Sequence, residues 1–286
     1  MRSVTNMAKL GVQLMMLKDQ VAQQGMYQVL EQLAALDIHC VEVSQIPMDE
    51  KNTADLERAI SELGFEVGAL SVALHPKPGI DSLSGEFDKV VADCNRLGTR
   101  YVRIGMMPFE AMVSKEATEA WAQELNPYAQ RLAQEGITLC YHNHHADLIQ
   151  FEGERIFDIV RRVAPDVYFE VDLHWVQRGG MAPLDMLELY QGVCKLIHVK
   201  DYRVAALPQE AIDLFNAGKF AEGYDKFVNI IQFAEVGQGN MNWPALLPAS
   251  EKAGADFFFI EQDMTYGRDP FDCIKDSREY LKSIGY

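Results

Sequence analysis

Four short apolar runs in this chain each break off at imidazole or carboxylate. They are Ile137-Thr-Leu-Cys-Tyr-His-Asn-His144, Val167-Tyr-Phe-Glu-Val-Asp-Leu-His174, Cys194-Lys-Leu-Ile-His-Val-Lys-Asp201 and Phe257-Phe-Phe-Ile-Glu-Gln-Asp263. In an extended strand, residues i and i+2 share one face. His142 and His144 therefore point the same way, as do His198 and Lys200. A chain that repeats this pattern must bury several strands while gathering their polar ends somewhere that tolerates charge.

Between the runs the apolar spacing becomes helical, as at Val21, Met26, Val29, Leu30, Leu33 and Leu36. Strands are expected at Lys9–Met15, His39–Val43, Phe65–Leu74, Tyr101–Gly105, 137–144, 167–172, 193–198 and 255–261. Helices are expected over 21–36, 53–63, from about Asp81 to Leu97, 115–135, 153–163, from Pro183, from Pro244 and over 270–284. None of the strands alternates strictly between apolar and polar residues, which argues for a parallel sheet buried on both faces. An open doubly wound sheet would share that alternation of elements, but no G-x-G-x-x-G follows the first strand. The polar clusters also sit at many strand ends rather than at one crevice. The reading is an α/β chain folded as a (β/α)8 TIM barrel, one domain over 1–286, with a helical insertion of two short helices at about 203–231. The glycine-rich Val236-Gly-Gln-Gly239 lacks a following Lys-Ser/Thr and reads as a flexible turn or lid.

Charge narrows the partners. Lys and Arg total 26 against 42 Asp and Glu, a formal net charge of −16, which repels phosphate backbones and anionic membranes. Nucleic acid and membrane are not expected. The five cysteines are odd in number with no C-x-x-C pair, so they read as buried free thiols in a reducing compartment. The opening Met1–Lys9 lacks the apolar core of a signal peptide, and a cytoplasmic protein is expected.

If the strands close into a barrel, their C-terminal ends open on one rim and His142, His144, Asp172, His198, Lys200 and Glu261 converge. Imidazoles with two or more carboxylates and no clustered thiolate suit an open site for Mn²⁺, Mg²⁺, Co²⁺ or Zn²⁺ rather than a structural zinc. Such an ion can polarise a carbonyl while a neighbouring carboxylate, imidazole or lysine moves a proton. Each residue has a plainer reading. Asp172 or Glu261 taken alone would be a helix N-cap, and Lys200 would only pair with Asp201 or Glu261. Glu42 is a candidate for a substrate hydroxyl or a salt bridge across the rim. His75 is a candidate substrate contact or loop structure. Trp175 and Trp243 are candidates to stack on a sugar ring or to pack in the core.

Taken together, Tyr141-His-Asn-His144, Glu170-Val-Asp-Leu-His-Trp175, His198-Val-Lys-Asp201, Val236-Gly-Gln-Gly with Asn242-Trp243, and Ile260-Glu-Gln-Asp263 resemble the sugar phosphate isomerase/epimerase group of xylose-isomerase-like TIM barrels. The resemblance spans nearly the whole chain. It implies one divalent ion held by a strand-five ligand, a strand-six aspartate, a strand-seven histidine and a strand-eight glutamate, which fall on His142, Asp172, His198 and Glu261. Many members have glutamate where His142 stands, with His144 as the alternative ligand here. Asp147 would be a supporting or substitute ligand. His174 occupies a place commonly held by tyrosine and adds a titratable group beside the substrate.

The expected function is isomerisation or epimerisation of a small sugar or polyol through proton abstraction next to a carbonyl. Glu261 would be ligand and base, with His144 and Lys200 polarising or protonating oxygens. The alternative is a dehydratase or lyase acting on a keto-sugar, keto-inositol or keto-glycoside. An abasic-site endonuclease or a non-catalytic sugar-binding protein ranks below both. The rim carries no basic cluster, which favours an unphosphorylated substrate. The resemblance also leaves room for a homo-oligomer paired through a loop such as 203–231.

Overall fold

The eight apolar runs form strands that close on themselves. In the computed structural model, which describes residues 8–286, these are β1 (Lys9–Gln13), β2 (Cys40–Val43), β3 (Glu66–Val72), β4 (Tyr101–Ile104), β5 (Thr138–His142), β6 (Tyr168–Asp172), β7 (Cys194–Val199) and β8 (Phe257–Ile260). Each pairs in parallel with its sequence neighbours and β8 returns to β1. The expected (β/α)8 barrel is the observed fold. The reading of the opening residues as lacking a signal sequence falls on Met1–Met7 and lies outside the described residues.

Because inward side chains recur every second residue, the barrel interior is layered. The bottom is an apolar plug of Cys40, Ala69, Cys140, Leu196, Phe257 and Phe259, with the two phenyl rings stacked at 5.8 Å. Two residues further along the strands come Glu42, Arg103, Glu170 and His198, all buried. One step higher stand Gln13, His142, Asp172, Lys200 and Glu261. The pairing register shifts between Val41 and Glu42 and again between Phe169 and Glu170. Such irregularities re-aim the next side chain, and here both next residues are buried glutamates.

Several boundaries differ from the expectation. The helix read over 21–36 is two, Lys18–Gln24 and Met26–Ala35, broken at Gly25, whose φ of 96° no helix accommodates. The helix read from 153 begins at Ile156, preceded by a small antiparallel pair, Gln150–Phe151 with Glu154–Arg155. An unforeseen helix, Leu173–Arg178, follows β6 directly. The 203–231 segment contains two helices, Gln209–Asn216 and Phe220–Val228, but they are bracketed by antiparallel strands Asp201–Val204 and Ile231–Ala234. That pairing joins residues some thirty positions apart, which local periodicity does not register. All five cysteines are free and buried, and among the described residues no helix is long and apolar enough to cross a membrane.

The glycine-rich stretch is an anchored loop rather than a lid. The buried Asp201 carboxylate accepts from the backbone N–H of Tyr202 (2.8 Å), Gly237 (3.0 Å) and Met241 (3.1 Å), and from Trp243 Nε1 (2.9 Å). Gly237 has φ 86° and faces the Tyr280 ring, and a Cβ at Gly239 would strike Asp201 itself. Trp243 is fully buried, so it anchors the loop and cannot stack on a ligand. An Asp201→Ala change leaves four buried donors without an acceptor. It should lower stability by about 3 kcal/mol or more, read as a shift in the urea unfolding midpoint, with Asp201→Asn costing less.

Candidate metal centre

Four ligand-type atoms meet at the C-terminal rim. His142, Asp172, His198 and Glu261 each offer one atom, and these lie within 4.8 Å of one another. His142 Nε2 is 3.5 Å from Asp172 Oδ2, and His198 Nδ1 is 3.7 Å from Asp172 Oδ2 and 2.6 Å from Glu261 Oε2. All four atoms are buried and none makes a well-formed hydrogen bond; Asp172 Oδ2 and Glu261 Oε2 are held instead by ion-pair contacts with Lys200, an arrangement that folded proteins rarely keep without a reason.

Their other polar atoms are held. His142 Nδ1 lies 3.1 Å from the Gly105 carbonyl, which can only accept, so the proton sits on Nδ1 and the Nε2 lone pair faces the cluster. His198 Nε2 lies 3.2 Å from Glu170 Oε1 and 3.3 Å from Glu42 Oε1, which turns its Nδ1 inward. Asp172 Oδ1 accepts from Trp175 N–H at 3.0 Å as the N-cap of the helix Leu173–Arg178, and its own N–H donates to Asn143 Oδ1. Glu261 Oε1 accepts from Gln13 Nε2 at 3.2 Å. Asp172 is thus both N-cap and cluster member, with one oxygen for each task.

The charge around the cluster is unbalanced. Glu42, Glu170, Asp172 and Glu261 face only two fixed cations, Arg103 and Lys200. Burial and the neighbouring Glu42 push the Glu170 carboxyl up to about 8. Burial opposes protonation of His198, but the surrounding carboxylates outweigh it and raise the group well above its ordinary value. His142, by contrast, is pushed down to about 4 by burial and the charge on His198, and is neutral. Burial would raise Asp172 and Glu261 as well, yet Lys200 and the histidines hold both well below the carboxylate range. Four buried carboxylates that balance two fixed cations only by holding protons on Glu170 and His198, with the neutral His142 imidazole beside them, are a donor set that a divalent cation fits.

The cluster opens on a cavity of about 660 Å³ whose lining includes Gln13, Arg103, His142, His144, Lys200, Glu261 and Asp263. Lys200 Nζ lies 3.0 Å from Asp172 Oδ2, 2.7 Å from Glu261 Oε2 and 3.1 Å from Asp263 Oδ1. His144 meets His142 edge-on at 4.8 Å, is half-buried, and keeps a buried Nδ1 without a hydrogen-bond partner. Burial of its ring lowers it, so it too is neutral. His142, and not His144, contributes to the four-atom cluster. Asp147 supports from behind: its carboxylate accepts from Tyr141 Oη and from His144 N–H.

The candidates for substrate contact separate. His75 lines the cavity mouth, half exposed and 3.3 Å from Glu124. Glu42 does not reach the cavity. It is fully buried one layer below, receiving Arg103 Nη2 at 2.6 Å. Trp175 and His174 also stand behind the lining. His174 is stacked on Phe233 at 5.0 Å and edged by Tyr202, burial holding it at about 4. Trp175 packs against His144, His145 and Phe233. Both are covered by the hairpin that follows Lys200, the pairing the sequence did not announce. Asp263, Glu170, Arg103 and Gln13 were missed. The first two lie two residues from Glu261 and Asp172, a step that strand periodicity makes significant, and Arg103 is the lone charge in an apolar run.

The family model described as xylose isomerase-like TIM barrel matches residues 30–284. Among solved structures, the chain is similar to a sugar phosphate isomerase/epimerase from Parabacteroides distasonis, with TM-score 0.71, 20% identity, and 98% of this chain and 96% of that one covered. It is also similar to the probable 3-DHS dehydratase AsbF from Bacillus anthracis, with TM-score 0.67, 14% identity and coverage of 96% and 98%. A third is the IOLI protein with a bound zinc atom, with TM-score 0.61, 17% identity and coverage of 96% and 97%. No curated protein matches by sequence. At these identities the structures speak for the fold, and the match over residues 30–284 carries the assignment: this chain belongs to the xylose isomerase-like TIM barrel family.

Proposed function

We propose that the protein is a divalent-metal-dependent isomerase or epimerase acting on a small sugar or polyol by removing the proton next to a carbonyl. The observation that carries this reading is the convergence of four buried ligand-type atoms, His142 Nε2, Asp172 Oδ2, His198 Nδ1 and Glu261 Oε2, within 4.8 Å of one another, with His142 and Glu261 lining an open cavity. These residues would hold the ion. When bound, it supplies a Lewis acid for the substrate's carbonyl oxygen.

The remaining steps belong to the chain. Lys200, fixed as a cation by Asp172, Glu261 and Asp263, offers a positive charge to the oxygen that becomes anionic as the proton leaves. Glu261 is poorly placed as the base, since Oε1 is taken by Gln13 and Oε2 by His198 and Lys200. Asp263 also touches Lys200, at 3.1 and 3.3 Å, but it lines the cavity outside the four-atom cluster and can take a proton without giving up a place in it. Asp263 returns the proton it took to the neighbouring carbon or oxygen in an isomerisation; in an epimerisation His144, facing the cavity, passes a solvent proton to the opposite face while Asp263 loses its own to solvent. A strand-five imidazole in place of a glutamate leaves one carboxylate fewer around the ion, and so a stronger pull on the carbonyl. The same first step serves the second reading, loss of a β-leaving group from a keto-sugar; the fold shared with a dehydratase makes it the rival to test.

Stripping with EDTA should abolish exchange of the substrate α-proton with deuterated solvent, and Mn²⁺ or Mg²⁺ should restore it. A product of unchanged mass favours the isomerase, and one lighter by water the lyase. His142→Ala should weaken metal binding by at least the 10–100-fold known for outer ligand partners, measured by calorimetry, whereas His144→Ala should keep full metal content and lose turnover. Asp263→Asn should lower kcat by roughly 10²–10⁴-fold with metal content intact.

A further inference from the structure

The cavity is divided in its chemistry. One half is the charged floor around Lys200 and Glu261. The other is a wall built by the segments after β3 and β4 and by the helix Lys115–Gln134, and its inner surface is Leu74, Ile80, Met107, Pro108, Phe109 and Trp121. A free monosaccharide is hydroxylated on every side and leaves such a wall unsatisfied. The volume of about 660 Å³ sits within the roughly 300–1,000 Å³ of sites for larger organic ligands.

Three further observations give the wall a ligand. Phe109 is 70% exposed and Met106 41% exposed at the mouth, an apolar lip that water does not favour. Trp121 is only 5% exposed and Ser71 only 8%, yet Trp121 Nε1 and Ser71 Oγ have no hydrogen-bond partner. A buried indole N–H without an acceptor is a cost that a bound acceptor removes. The wall is also preformed. Thr118 Oγ1 donates to the Ala111 carbonyl at 2.7 Å, and Ala111 N–H donates to the Pro108 carbonyl at 2.9 Å, which pins the loop carrying Phe109 to the helix behind it.

We propose that the apolar half is a second subsite that takes an aromatic aglycone bearing a hydrogen-bond acceptor, so that the substrate is an aryl conjugate of a keto-sugar, whose reacting carbonyl lies away from the aglycone-bearing carbon, rather than the free sugar. The inference rests on the reading of the charged floor as the seat of the reacting sugar. A second sugar ring in place of the aryl group fits less well. It would need several hydroxyl partners, and the buried part of the wall offers Ser71 and Trp121; His75, Lys77 and Glu110 stand exposed at the outer lip.

The test is calorimetric titration of the metal-loaded protein with matched methyl and para-nitrophenyl β-glycosides of glucose, galactose and xylose. For the sugar that binds, the nitrophenyl member should bind roughly tenfold tighter or more, the weight of one buried and stacked ring. Phe109→Ala, at a position too exposed to matter for folding, should reduce that ratio severalfold. Trp121→Phe, which keeps the ring and removes the N–H, should reduce it for the nitrophenyl glycoside but not for the phenyl glycoside. Equal affinity within every pair, or binding of neither member of any pair, overturns the subsite. An aryl preference that survives EDTA in a protein with no metal-dependent turnover upholds the subsite and overturns the function proposed above. Metal-dependent turnover of a free sugar without any aryl preference does the reverse.

Discussion

The rest of the site depends on a local excess of negative charge inside a closed barrel. Glu42, Glu170, Asp172 and Glu261 surround the His198 ring at contact distances, and Arg103 and Lys200 are too few to neutralise them. Burial makes each of these charges expensive unless paired. The pairing present is directional: Arg103 and the Nε2 side of His198 hold the lower carboxylates, while Lys200 holds the upper ones at the edge of an open cavity that Glu261 lines. The unbalanced charge is thereby pushed to the one end of the barrel that solvent and substrate can reach.

That polarity has a simple mechanical origin. In a barrel whose strands all run the same way, every two-residue step moves the same short distance toward the rim. Leu196, His198 and Lys200 on β7, Phe257, Phe259 and Glu261 along β8, and Cys140 and His142 on β5 therefore change character in unison, from apolar plug to histidine and carboxylate. Layers that would be costly singly become tolerable because each charged residue finds its counterpart on a neighbouring strand, as His198 does with Glu170 in its own layer and with Asp172 one step above. The irregular register before Glu42 and Glu170 brings those two to the level where His198 needs its Nε2 proton held.

The loops then make the cavity particular to this chain. Asp201, the residue after Lys200, gathers three donors from the Gly237–Trp243 segment and a fourth from Tyr202 N–H, and so fixes the loop that packs behind the hairpin. The hairpin it begins covers His174 and Trp175. On the opposite side, Thr118 holds the Phe109 segment against its helix. A common barrel floor with one hydrophilic and one apolar bank is how a widespread fold acquires a narrow ligand preference.

The sequence by itself determined the barrel and the gathering of His142, Asp172, His198 and Glu261, because both follow from local periodicities: apolar runs between helical spacings, and side chains that alternate along a strand. It left open which of His142 and His144 joins the cluster, and whether Glu42 and Trp175 meet substrate or serve as a rim salt bridge and core packing; it placed His174 beside the substrate. Only the tertiary structure decided those points. The strand ends at His142, so the ring of His144 stands aside with its own neighbours. Glu42 lies one step too deep and is taken by Arg103. His174 and Trp175 are roofed by a hairpin whose two strands are separated by a helical pair. Each of these outcomes rests on contacts between residues distant in sequence, where packing and charge pairing, and no local pattern, select the partner.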